Sequence, residues 1–391
     1  MSKKYLNDVI QTIPPSGIRR FFNLANTMEG VVSLGVGEPD FATPWHIREE
    51  AIYAIEKGRT FYSENVGLFD LRKGVCDYYE RRFNIKGYDP EKNALITVGA
   101  SEGIDLVMRA LLNPGDEVIM LNPSYVSYAP TVILAGGKPV IIEVKEENRF
   151  KLLPEDLEKA ISDKTKMLFI NFPNNPTGGV MNREDYEKLI PIIKKHDLVV
   201  LSDEIYCELS YGHKFTSIAS FEEIKDQVII LNGFSKAYSM TGWRLGYVLA
   251  HEDIINAINI IHQYVIMCAS TISQYAAIEA INHGDKDCEL HKESFEQRRN
   301  FIVNGLNKIG LTCHMPEGAF YVFPSIKNTG LTSEEFCEQL LLESKVAVVP
   351  GSAFGSCGEG YIRISYAYSI EEIKVALERI ERFLKSIDFV K

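Results

Sequence analysis

QVIILNGFSKAYSMTGWRLGYVLA, Gln227–Ala250, sets an apolar run on either side of a stretch of small residues holding one lysine, Lys236, and one arginine, Arg244. The leading run, Val228–Leu231, is continuous rather than alternating. Continuous runs suit strands buried on both faces, as in a parallel sheet covered by helices. Similar runs lie upstream: ALITV (94–98), EVIML (117–121), PVIIEV (139–144), KMLFIN (166–171) and LVVLS (198–202), with RLGYVLA (244–250) closing the series. The intervening pattern predicts helices over 102–112, 125–135, 154–161, 182–195 and 252–266. This alternation predicts a doubly wound α/β layer with a mostly parallel sheet sandwiched by helices. Ligands of such sheets bind beyond the carboxyl ends of the strands, so the residues just after each run are the candidates for chemistry.

Outward from this centre, residues 1–44 are irregular, rich in proline and glycine, and read as an N-terminal arm and loop. Helices are predicted over 45–57 and 68–82, opening a large domain that extends over 45–286. Beyond 286 the texture changes. A long helix over 287–309 leads to AFYVF (319–323), a helix over 332–343, VAVV (346–349), YIRIS (361–365) and a closing helix over 370–386, a smaller α+β domain over 287–391. The 391 residues carry 42 Lys and Arg against 53 Asp and Glu, a net charge of −11, which argues against nucleic acid or an anionic membrane as partner. Seven scattered cysteines without a C-x-x-C pair suggest a reducing compartment, and no metal site is expected. The start, MSKKYLNDVIQTIPP, lacks the apolar core of a signal peptide, and no run reaches the length of a membrane span. A cytoplasmic protein is expected.

The strand ends carry a constellation. LVVLS runs into Asp203-Glu204-Ile205-Tyr206. A carboxylate there either caps the next turn or faces a cationic ligand, because a buried charge is costly without a partner. NFPNNPTGG (171–179) is a loop by composition, and it would hold Asn175 at the sheet edge as a donor. ALITV ends in Gly99-Ala100-Ser101-Glu102-Gly103, small residues opening a helix whose free N–H groups suit a phosphate. It is neither a G-x-G-x-x-G fingerprint nor a P-loop. QVIILN delivers Ser235-Lys236 to the same rim. A lysine in a desolvated place loses its proton and becomes a nucleophilic amine. An amine, a carboxylate for a ring nitrogen, a tyrosine and a phosphate seat together describe pyridoxal 5′-phosphate, with Arg244 as a phosphate ligand. In YIRIS, Arg363 facing inward, with Ile362 and Ile364 outward, would need an anion such as an α-carboxylate, or else lies on the surface.

These motifs, in this order, resemble the class I/II aminotransferases of pyridoxal-phosphate fold type I. SLGVGEPDFATP (33–44), YSENVGLFDLR (62–72), NPGDEVI (113–119), NNPTG (174–178), SDEIY (202–206), SKAYSMTGWRLGY (235–247) and YIRISYA (361–367) carry the resemblance across nearly the whole chain. They are most similar to the bacterial and archaeal branch of aspartate, aromatic and N-acetyl-diaminopimelate aminotransferases. The resemblance implies that Lys236 holds the cofactor as a Schiff base and shuttles the proton, that Asp203 binds the ring nitrogen, and that Tyr206 and Asn175 bond the ring oxygen. It further implies Tyr125 stacked on the ring, Ala100, Ser101, Ser235 and Arg244 on the phosphate, and Tyr62 reaching in from the partner subunit of a homodimer. Arg363 and Asn175 would grip the substrate carboxylate, with Gly37 and Ile18 lining the substrate pocket. Relatives often have serine three positions before the lysine. Gly233 stands there instead, so Ser235 or Ser101 must carry more of the phosphate contact.

The implied reaction is ping-pong transfer of an amino group from an L-amino acid of aspartate or aromatic type to a 2-oxo acid such as 2-oxoglutarate. A C–S β-lyase on the same fold and a non-catalytic cofactor-binding regulator are the competing readings. The regulator would need an added DNA-binding domain, for which residues 1–43 are too short. Which side chain is accepted stays open, as do the roles of Arg19 and Arg20.

Overall fold

The computed structural model describes residues 5–15 and 28–387. Its centre is a seven-stranded sheet in the order β2-β8-β7-β6-β5-β3-β4. These strands are β2 (Ala94–Thr97), β3 (Glu117–Asn122), β4 (Lys138–Glu143), β5 (Thr165–Asn171), β6 (Val199–Asp203), β7 (Val228–Gly233) and β8 (Gly246–Leu249); a short β1 (Val32–Ser33) precedes them outside this sheet. Neighbours from β4 through β7 run parallel, while β8 is antiparallel to both β7 and β2. The continuous apolar pattern has the expected cause. Along β7, Ile229 and Leu231 pack into the core on one face of the sheet, and Val228 and Ile230 into the core on the other. β4 departs from the pattern. It is the edge strand, and Ile141 is exposed despite its place in an apolar run.

Ahead of the sheet helices lie α1 (Asp8–Thr12), α2 (Trp45–Glu56) and α3 (Phe69–Phe83). Next come α4 (Gly99–Leu111), α5 (Tyr128–Leu134), α6 (Pro154–Ala160), α7 (Arg183–Lys195) and α8 (Glu252–Val265). The apolar faces of α4, α5 and α8 cover one face of the sheet, and α3 and α7 cover the other. On that second face α3 is joined by a helix with no counterpart in the sequence reading, α9 (Thr271–His283). Its buried side is Ser273, Gln274, Ala276, Ala277, Ala280 and Ile281, too small and polar to show as an apolar stripe.

The chain continues through α10 (Asp285–Ile309), β9 (Tyr321–Val322), α11 (Ser333–Ser344), β10 (Val346–Ala347), β11 (Val349–Pro350), β12 (Ile362–Ser365) and α12 (Ile370–Ser386). Three of these strands form an antiparallel sheet, β11-β12-β9, buried under α10, α11 and α12. The VAVV run is divided at Val348. Val346–Ala347 pairs in parallel with β1, and Val349–Pro350 pairs with β12. Capping boxes at Asn182, Thr332 and Ser369 fix the starts of α7, α11 and α12. Each side-chain cap is worth about 1 kcal/mol.

Candidate active site

β5, β6 and β7 are parallel neighbours, so their carboxyl ends bring Asn171, Asp203 and Gly233 to one edge. Asn171 ties two of the functional segments together: its side-chain amide donates to Asp203 O at 2.9 Å, and its Oδ1 accepts the Asn175 N–H at 3.1 Å. β12 brings Arg363 to the same place from the C-terminal sheet. Between the two layers is a cavity of about 540 Å³, lined among others by Lys236, Asp203, Tyr206, Asn175, Arg244 and Arg363.

Asp203 caps the turn after β6 and also lines the cavity. One carboxylate oxygen accepts the Ile205 N–H at 3.1 Å and caps the turn; the other accepts the Tyr128 hydroxyl at 2.7 Å and lines the cavity. Burial pushes its pKa up to about 6, although these hydrogen bonds and nearby Lys236 favour the ionised form. Lys236 donates to the Gly37 carbonyl at 2.6 Å. Burial lowers its pKa to about 8; Arg363 and Arg244 push the same way, while Glu38 opposes them. A neutral amine is therefore accessible near neutral pH, the requirement for a nucleophile or base. The Tyr206 hydroxyl lies 3.0 Å from that of Tyr321.

Arg363 corrects the expectation for its strand. Ile362 and Ile364 are fully buried in the C-terminal core, and Arg363 projects from that core into the cleft, where it too is buried. One guanidinium N–H donates to Asn175 Oδ1 at 2.9 Å and another to the Gly35 carbonyl at 2.6 Å. The guanidinium stacks over Tyr321, 4.5 Å from the ring centre, and lies 4.9 Å from that of Phe354. Its Nε is buried without a hydrogen-bond partner, a donor that suits an incoming anion. Since Asn175 uses its amide oxygen on Arg363, its amide N–H₂ remains as the donor the sequence suggests.

At the other end, Ala100 and Ser101 in the first turn of α4, with Ser235 and Arg244, line the same cavity. Free N–H groups and the helix dipole favour an anion there. Arg244 adopts a left-handed backbone, φ 53°, a conformation that costs roughly 1–2 kcal/mol in a residue with a side chain. Its guanidinium comes within 2.6 Å of where a Cβ on Gly99 would stand, so it lies across the start of α4. Gly233 has a steric explanation: a Cβ there would be 2.9 Å from the Leu245 carbonyl oxygen and 3.0 Å from Gly246 Cα. Serine does not fit this packing of β7 on β8, and Ser235 supplies the hydroxyl at the cavity wall. The donor set thus suits pyridoxal phosphate: an anion seat, a buried carboxylate and an amine of lowered pKa line a single cavity.

Tyr125 and Gly37 also line the cavity. Tyr62 does not; it is 79% exposed on the outside of its own chain. Ile18, Arg19 and Arg20 lie outside the described residues. The sequence reading passed over Tyr128 and Tyr321. Tyr128 had one signal, its position one helical turn after Tyr125; Tyr321 had none beyond its place in an apolar strand. All seven cysteines are free, and no described helix is long and apolar enough to cross a membrane.

The family model of aminotransferase class I and II matches residues 29–380. An aromatic-amino-acid aminotransferase of Thermococcus litoralis is 45% identical, over 97% of this chain and 98% of its own. An aspartate aminotransferase of Pyrococcus abyssi is likewise 45% identical, with the same coverage of each chain. The crystal structure of an aromatic aminotransferase from Pyrococcus horikoshii superposes with a TM-score of 0.90 at 43% identity, covering 95% of this chain and all of that one, 100%.

Proposed function

The chain belongs to the class I and II aminotransferases and is a pyridoxal-phosphate-dependent transaminase, and from that premise we propose that its cavity transfers the amino group of an aspartate- or aromatic-type L-amino acid to a 2-oxo acid such as 2-oxoglutarate. The observation that carries the reading is the convergence of Lys236, Asp203 and buried Arg363 on one cavity. When bound, the cofactor supplies an aldehyde that condenses with amines and a ring that withdraws electrons.

In this reading Asp203 ionises against the ring nitrogen and keeps it protonated, which also relieves the cost of its own burial. Tyr206 and the Asn175 amide donate to the ring oxygen, and Tyr125 packs on the ring face. The first turn of α4, Ser235 and Arg244 hold the phosphate. Arg363 takes the substrate α-carboxylate with its spare donors, which orients the Cα–H bond toward Lys236. With the cofactor bound, Lys236 as a neutral amine would be the group that takes the α-proton as general base and gives it back as general acid. A second 2-oxo acid takes the amino group by the reverse steps, hence ping-pong order.

Adding one amino acid with no 2-oxo acid tests the reaction. About one equivalent of 2-oxo acid per subunit should appear and then stop, with loss of the cofactor's visible absorbance and no free ammonia. Sustained release of ammonia and pyruvate from cystathionine would assign the β-lyase instead. A panel of donors against 2-oxoglutarate separates aspartate from aromatic side chains.

The reading extends to organisation. An arm over 1–44, a cofactor-binding domain over 45–286 and a smaller domain over 287–391 are supported by a C-terminal core drawn mainly from residues beyond 286, with Leu34, Tyr206, Leu209 and Tyr211 joining it at the junction, while Phe323, Val349, Phe354 and Tyr361 pack with the larger core. The protein acts in the cytoplasm as a homodimer with shared sites. Support for the dimer is a patch on which Phe61 and Tyr62 stand beside Tyr264–Met267, where Tyr264 is 84% exposed. The segments are tied by Asn65 Nδ2 donating to Met267 O at 2.8 Å and Thr271 Oγ1 to Phe61 O at 2.7 Å. If Tyr62 of the partner subunit completes the phosphate site, mixing Tyr62→Phe and Lys236→Ala chains places both lesions in one site and leaves the other intact. Activity above that of either parent is expected after subunit exchange, and none above the parents would remove Tyr62 from a shared site.

A further inference from the structure

Tyr206 and Tyr321 approach hydroxyl to hydroxyl at 3.0 Å, one from the turn after β6 and the other from β9. Both are almost wholly buried, so water does not supply further partners freely. Among the described residues neither hydroxyl has another hydrogen-bond partner. A hydroxyl carries one proton. Within the pair, therefore, one tyrosine gives its proton to the other, and the acceptor keeps its own proton for something else. Tyr206 and Asp203 both line the cavity.

Tyr321 is constrained on every side. Its ring lies under the Arg363 guanidinium at 4.5 Å. Its hydroxyl oxygen fills the position beside Gly37, only 2.1 Å from where a Cβ would stand, so no larger residue at 37 leaves the hydroxyl where it is. The Gly37 carbonyl in turn receives Lys236. One side chain thus touches the groups assigned to the ring oxygen and the substrate carboxylate, and the glycine whose carbonyl holds Lys236.

We propose that Tyr321 is a positioning residue: its hydroxyl donates to Tyr206, so that the Tyr206 proton is aimed at the ring oxygen of bound cofactor, while its ring fixes the plane of Arg363. The proposal rests on the reading that Tyr206 bonds the ring oxygen. A hydroxyl that accepts one hydrogen bond is polarised into a stronger donor of its own proton. Donation to the ring oxygen favours the cofactor form that has lost its proton, and so lowers the pH at which the visible absorbance changes.

The test is a pH titration of that absorbance in cofactor-loaded protein without substrate, for wild type, Tyr206→Phe, Tyr321→Phe and the double variant. Tyr206→Phe should raise the midpoint by roughly 1–2 pH units, the worth of a hydrogen bond to a charged group. Tyr321→Phe keeps the ring under Arg363 and should raise it in the same direction by roughly 0.3–0.6 units, a fraction of that bond. In the double variant the second change should add nothing, because its only route is through Tyr206. Additive shifts, or no shift from Tyr321→Phe while Tyr206→Phe shifts, would overturn the proposal alone. No shift from Tyr206→Phe would overturn the reading of the site and the proposal with it. Tyr321→Leu reports on the other half: KM should rise for every amino donor alike, by about 5–10-fold for a lost cation–π contact in a dry site, and an unchanged KM would remove the ring from the orientation of Arg363.

Discussion

Lys236→Ala abolishes turnover, lowering kcat by at least about 10⁴-fold, because one side chain serves as both the amine that holds the cofactor and the base that moves the proton. The loss should be local. Lys236 makes a single hydrogen bond among the described residues, to the Gly37 carbonyl, and its charge is disfavoured where it sits. The cofactor-free variant should therefore unfold within a few degrees of wild type, as measured by calorimetry. An added primary amine should restore a small part of the rate by taking over the proton transfer. A variant that keeps substantial activity would place the chemistry on another lysine.

Asp203→Asn is expected to separate stability from function. In the cofactor-free protein the Asp203 pKa stands at about 6 against an ordinary 3.8. A carboxyl with a raised folded-state pKa contributes most when protonated, and that contribution is lost as pH rises from about 4 through about 6. The displacement of about two units corresponds to roughly 3 kcal/mol. Asparagine carries no charge to bury, and Tyr128 can reverse its hydroxyl to accept from the amide. Cofactor-free Asp203→Asn should thus be more stable than wild type above pH 6, by an amount of that order, with a flatter pH dependence between 4 and 6. Glu204 retains its own slope: burial raises it to about 7 despite donation from Ser217, Tyr79 and Ser202. Cofactor affinity and kcat should fall together by about 10²–10³-fold, since the protonated ring nitrogen loses its partner in a desolvated site. Denaturant melts of the cofactor-free protein and equilibrium cofactor binding check the two halves. If the variant is less stable at every pH and binds cofactor normally, Asp203 is a structural cap and nothing more.

Much of this layout is legible in the chain because burial on both faces leaves an apolar run without alternation. β7 shows it plainly, with Ile229 and Ile230 facing opposite cores. The same signal misleads at β4, where PVIIEV reads as interior but forms the sheet edge; an apolar run does not reveal how many neighbours a strand has. α9 is invisible for the opposite reason: its buried face is alanine, serine and glutamine, packed closely against α2 and α3. Strand direction is equally silent, and nothing local to RLGYVLA marks β8 as antiparallel.

Within the site, residues with a chemical reason to stand at a strand end are readable, Asp203 and Lys236; Arg363 is readable as a charge that needs an anion, but the facing of its strand reads the wrong way round, since Ile362 and Ile364 take the core side. Residues that act by touching those groups are not readable. Tyr128 and Tyr321 come from the start of α5 and from β9, and only tertiary packing brings their hydroxyls to Asp203 and Tyr206. A buried tyrosine in an apolar segment looks like core until its hydroxyl's partner is known. Gly233 illustrates the reverse case: a serine missing from the pattern, which in the sequence only hands the phosphate contact to Ser235 or Ser101, has its reason in the backbone packed against it.

The central claim is that Lys236 is the amine bound to the cofactor in a cavity it shares with Asp203 and Arg363. Borohydride reduction of purified, cofactor-loaded protein, followed by proteolysis and peptide mass spectrometry, tests it most directly. The account predicts one pyridoxyl phosphate per chain, on the peptide containing Gly233–Tyr247 and on Lys236 within it. Label on any other lysine, or a loaded protein that takes no label, would contradict it.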